Sequence, residues 1–157
     1  MTLLQITTLL IPIAAASTVG LLTYFFAIKS KKFDLLYASK IPAFTEISSK
    51  LTKFKSSCFG KVAEYRGMDF SPYAYSGSTL AHLREIVEVV DANIIFLSKS
   101  NRNKIEQLLS QMGMACNLEL RLAADKNDSA DYSEVYQKLG HETEKLIELL
   151  YKDLNLK

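Results

Sequence analysis

Apolar positions follow two regimes along this chain. From Leu3 to Ile28, LLQITTLLIPIAAASTVGLLTYFFAI, they form a 26-residue run without a charge, closed by Lys29, Lys31 and Lys32. Beyond the run they recur every three or four residues between polar ones, the period of amphipathic helices. Phe33, Leu36 and Tyr37 give residues 29–40 an apolar edge that continues the first helix. Pro42 disfavours helix at Ile41, so a bend is expected there, with Pro42 opening the next helix. In Ala43–Tyr65 a seam runs through Phe44, Ile47, Leu51, Phe54, Cys58, Val62 and Tyr65. Gly67–Ser78 breaks the pattern with glycines, a proline and serines, and reads as a loop.

Ser78 is placed to cap a helix over Thr79 to about Ser98, with Leu80, Leu83, Val87, Val90, Ile94 and Leu97 on one face and Ile86 and Ile95 widening it. Its last residues, NIIFL, also suit extended backbone. Ser98 to Asn101 reads as a turn, with Ser100 or Asn101 capping a helix whose stripe is Ile105, Leu108, Leu109 and Met112. Leu118, Leu120 and Leu122 alternate as in a strand, but so short a strand lacks a partner, so the segment is read as helix. DKNDS at Asp125–Ser129 is a polar turn. The last helix runs from about Ala130 to Leu154, with Val135, Leu139, Leu146 and Leu150 as its stripe, Tyr132 and Leu149 beside it, and Gly140 as an interruption.

The opening run has the dimensions of a membrane span, because about 20 apolar residues cross a bilayer core as a helix. A secretory signal would want Lys or Arg before the run and a shorter core, and Ala14-Ala15-Ala16 only imitates a cleavage site. Lys29, Lys31, Lys32 and Lys40 follow the run, which by the positive-inside rule puts the N-terminus outside and the remainder in the cytoplasm. The expected fold is all-α: one N-terminal transmembrane helix followed by a cytoplasmic bundle of about four helices. Its parts are an anchor at residues 1–28, a basic juxtamembrane stalk at 29–42 and a cytoplasmic helical domain at 43–157. Ala16 and Gly20 form a small-xxx-small pair at which two spans can pack.

Charge is uneven. Residues 29–66 carry nine Lys/Arg against three acids, a net of +6, whereas residues 67–157 carry ten against fourteen, a net of −4. The basic part adjoins the span, where it suits anionic lipid. A basic stretch also suits nucleic acid, which no motif here indicates. In the 67–78 loop Phe70, Tyr73 and Tyr75 are aromatics that need cover, from the domain itself or from a protein partner.

Chemistry-bearing motifs are missing. His82 and His141 fall in different helices, without the spacing of helical metal ligands, and read as exposed polar residues. Cys58 and Cys116 lie in apolar patterns as small hydrophobes. Ser76 to Thr79 lacks the lysine and first glycine of a phosphate loop. Helical nucleases of the HEPN class carry Arg and then His four to six residues on, and none of Arg66, Arg84, Arg102 or Arg121 has that partner. The expectation is a protein without catalytic residues, cofactor or metal, whose partners are the bilayer and further copies of itself. The alternatives are a monomeric tether that recruits a protein, and a degenerate HEPN-like nuclease.

In overall plan, through Leu3–Ile28, the Lys29–Lys32 flank and HLREIVEVVDANIIFLSKSNRNKIEQLL at His82–Leu109, the chain resembles small membrane-anchored accessory and effector proteins of bacterial phage defence. Among these are the one-anchor helical protein of some Cas13-type CRISPR loci and the membrane effectors of some retrons. The resemblance implies oligomerisation in the inner membrane, permeabilisation and slowed growth during infection. It rests on architecture, so it assigns no functional residue.

Overall fold

The computed structural model describes residues 3–68, 77–124 and 131–154, with side chains from Ala15 onward. It is all-α: α1 is Leu3–Tyr65, α2 Thr79–Ala92, α3 Lys99–Ala124 and α4 Ser133–Asp153, with a 3-10 turn, Ile94–Phe96, between α2 and α3. Two units divide the chain, residues 1–39 and residues 40–157.

In the first unit the described side chains of α1 are exposed along most of its length, Val19, Phe25 and Phe26 at 62%, 67% and 70%. Ala16, Gly20, Lys29, Lys31 and Lys32 are exposed as well. Among the described residues no helix is long and apolar enough to cross a membrane. Nearly half of the Leu3–Ile28 run precedes Ala15, where description of side chains begins.

The second unit is a helical bundle around the C-terminal part of α1. The predicted seam is its spine: Phe44, Ile47, Leu51, Phe54, Cys58 and Val62 are buried, and Tyr65 is partly exposed. The expected start of a new helix at Pro42 is not found, because α1 passes through Pro42 without ending. A proline inside a helix costs one backbone hydrogen bond and a ring clash, about 3 kcal/mol. Ala43, Phe44 and Ile47, buried directly after it, offset that cost.

Ser78 caps α2 as expected, its side chain accepting from the Ala81 N–H. The helix stops at Ala92, six residues early, and NIIFL becomes the 3-10 turn and a short extended exit. At the stop the Asn93 side-chain amide donates to the Val89 carbonyl at 2.9 Å, which the Asn93 backbone N–H also reaches at 3.2 Å, so one residue covers the helix end twice. The buried face of α2 is Thr79, Ile86, Val89 and Val90, rotated from the predicted stripe, so Leu80 and Ile94 face outward. Ser98, not Ser100 or Asn101, caps α3, accepting from the Asn101 N–H at 3.3 Å. The Leu118–Leu122 stretch is helical, as expected, and Gly113 does not interrupt α3.

In α4, Tyr136, Leu139, Thr143, Leu146 and Leu150 are buried, whereas Val135 is 39% exposed. Gly140 marks a close approach and does not break the helix: a Cβ there would lie 3.0 Å from the Phe59 ring.

Candidate functional site

A polar knot joins all four helices where α1 ends and α2 begins. Glu119 of α3 is its centre. The buried face of α3 steps through Asn101, Ile105, Leu108, Met112 and Ala115, and the next step of that seam falls on Glu119. An acid thus occupies a core slot, and burying it requires donors. Lys61 of α1 supplies an ion pair to Oε1. The Thr79 hydroxyl donates to the same oxygen, and the Tyr136 hydroxyl of α4 donates to it at 3.1 Å. The Thr79 N–H, at the first residue of α2, donates to Oε2 at 3.0 Å. Glu119 therefore also serves as the anion at the α2 N-terminus, where free N–H groups favour negative charge.

Burial alone would raise the Glu119 pKa. Hydrogen bonds from Lys61 and Thr79, with the charge of Lys61, outweigh burial and hold it below its ordinary 4.5. Lys61 also lies over the Tyr136 ring, 4.7 Å from its centroid, and Tyr65 stacks on Tyr136 at 6.1 Å. Burial, then the nearby Glu119 charge and hydrogen bond, push the Tyr136 hydroxyl far up, so it stays a donor. Beside the knot opens a cleft of about 450 Å³ lined by Lys61, Glu64, Tyr65, Glu119, Leu122 and Tyr136.

Nothing in the knot is poised to react. A carboxylate held ionised by four donors is a weak base. Burial pushes the adjacent Cys58 thiol up to about 12, which keeps it protonated, and burial raises Cys116 too. Both cysteines are free. The knot's chemistry is to fix helix register.

His82 departs from expectation. It is half-buried, packed on the Phe54 ring at 5.8 Å, and its Nε2 is enclosed with no hydrogen-bond partner among the described residues. Burial is the largest influence on it and lowers its pKa from 6.5. His141 is exposed as expected, edge-on to Phe59 and 3.8 Å from Glu144. Among the described residues no cluster of three His, Cys, Asp or Glu could hold a metal ion. Phe70, Tyr73 and Tyr75, and the Asp125–Ser129 turn, lie outside the described residues.

The charge asymmetry has a source inside the fold. Four lysines of α1 meet acids of the later helices: Lys40 pairs with Asp153 at 3.7 Å, Lys50 with Glu85 at 2.9 Å, Lys55 with Glu144 at 3.1 Å, and Lys61 with Glu119. Lipid is therefore not needed to explain these four. Lys29, Lys31 and Lys32 make no ion pair among the described residues.

Sequence patterns alone passed over Lys61, Thr79, Glu119 and Tyr136. The available signal was the heptad-like step of α3 onto Glu119.

No protein-family model, no curated protein and no solved structure matches the chain.

Proposed function

We propose that this chain is a single-pass membrane protein whose helical domain is carried on the same helix as its anchor, and whose spans self-associate. The carrying observation is the 26-residue uncharged run of Leu3–Ile28, which belongs to the helix that forms the spine of the bundle. The Lys29–Lys32 flank has no acidic partner among the described residues, and the positive-inside rule assigns it to the cytoplasmic face. The polar knot is a structural device in this reading and no reaction is assigned to it.

Self-association rests on Ala16 and Gly20, one helical turn apart. A Cβ added at Gly20 meets nothing within 4 Å. The described residues of a single chain therefore leave room where a side chain at Gly20 begins, and Gly20→Leu probes contact with another molecule. Crosslinking in membranes is expected to trap multimers of the native chain and to lose them in Gly20→Leu, with insertion unchanged. Multimers that survive Gly20→Leu contradict packing at this pair. Ion leakage in the same membranes reads whether the assembled spans open the bilayer, as the phage-defence resemblance implies. Equal leakage from both proteins removes the pair from any such role.

A further inference from the structure

We infer that the cleft beside the polar knot is a binding site for a small organic cation, an ammonium group carried on an apolar body. The described residues that line it all belong to the 40–157 unit, so the inference goes beyond the anchored reading and does not depend on it.

The cleft measures about 450 Å³, within the range of small-molecule sites. Its walls come from three helices: Lys61, Glu64 and Tyr65 from the end of α1, Glu119 and Leu122 from α3, and Tyr136 from α4. Two of these are acids and one is a cation, so the described lining carries one negative charge in excess. Lys61 is already paired with Glu119. Glu64 is exposed and makes no ion pair among the described residues. Two arginines close by in sequence are engaged elsewhere, Arg66 donating to Gln137 at 2.8 Å and Arg121 to the Tyr132 hydroxyl at 2.9 Å.

Glu119 has acceptor capacity left as well. A carboxylate offers about four lone-pair sites. Lys61 and the hydroxyls of Thr79 and Tyr136 all meet Oε1, whereas the Thr79 N–H is the one donor to Oε2 among the described residues. An ammonium group brings three donors and no acceptor, which suits Glu64 and the remaining Glu119 acceptor better than a neutral or anionic group does. Tyr65, 39% exposed, adds ring surface, and ring faces attract cations. Lys61 already uses Tyr136 in this way, 4.7 Å from the ring centroid. Tyr65 and Leu122 give the apolar body its contact. An anion would meet Glu64 and Glu119 with Lys61 already paired, so the same walls select against it.

Isothermal titration of the full chain in nonionic detergent tests this with 2-phenylethylamine and 2-phenylethanol, which share a body and differ in charge. The amine is expected to bind saturably and the alcohol several-fold more weakly. Glu64→Gln keeps the shape of an exposed side chain. It is expected to weaken the amine several-fold and to leave the alcohol unchanged. Leu122→Trp places a bulkier side chain in the cleft and is expected to weaken both. Uptake of the probes by micelles is common to all three proteins and cancels in the comparison. Equal affinity for amine and alcohol, or an amine affinity that Glu64→Gln leaves unchanged, overturns the cation site. Absence of saturable heat with the amine overturns it too. None of these outcomes touches the anchor, which membrane insertion tests separately.

Discussion

Glu119→Gln keeps the shape of the side chain and takes away its charge. Lys61, with its side chain only 23% exposed, would then lack its counterion, and the Thr79 and Tyr136 hydroxyls would face a weaker acceptor. A loss of about 1–3 kcal/mol in urea unfolding is expected, because the pair is partly but not wholly desolvated. No loss would mean that the knot does not tie the helices. Because the folded pKa of Glu119 lies below 4.5, its contribution is present above that pH and is lost as pH falls through the lowered value. His82 has the same sign for a different reason. Its folded pKa lies below 6.5, so the unfolded chain takes up the proton first and stability falls as pH drops below 6.5. Its neighbours partly cancel, Glu85 and Glu119 favouring the proton and Lys61 and Lys53 opposing it. His82→Phe is expected to flatten that first part of the acid limb, read as Tm against pH. An unchanged slope would show that another group titrates there.

At the scale of elements, α1 is the unusual piece: 63 residues that run through two prolines and two glycines. Pro42→Ala restores a backbone donor and a better helix former in the middle of it. The domain is expected to gain up to about 3 kcal/mol in thermal or urea unfolding. A loss would mean that the chain uses the proline to turn, as its local chemistry alone predicts. The seam of α1 and the stripe of α3 were legible in sequence because strong three-and-four spacing survives any rotation of the neighbours. The faces of α2 and α4 were not. Val87 and Val135 carry the period as well as Val89 and Tyr136 do, and packing against α1 and α3 chooses between adjacent positions. The helix boundary at Pro42 was misread because local propensity counts the lost hydrogen bond and omits the burial of Ala43, Phe44 and Ile47 beside it. Gly140 was misread for a similar reason, since the Phe59 ring that fills its missing side chain comes from another helix.

For the whole molecule, the split of charge between a basic first part and an acidic second part was plain in composition, and its meaning was not. Composition alone is equally consistent with attraction to lipid and with pairing between helices. Tertiary structure places Lys40, Lys50, Lys55 and Lys61 opposite acids, and among the described residues Lys29, Lys31 and Lys32 make no ion pair. In the anchored reading proposed above, one helix serves as span, flank and spine. Alkaline carbonate extraction of membranes that contain the full chain tests this most directly, alongside a variant with Ala16→Arg and Val19→Arg. Each arginine near the centre of a span costs about 2.5–3.5 kcal/mol of insertion. The native chain should stay in the membrane pellet and the double variant should leave it. A native chain released by carbonate as readily as the variant would contradict the anchored reading.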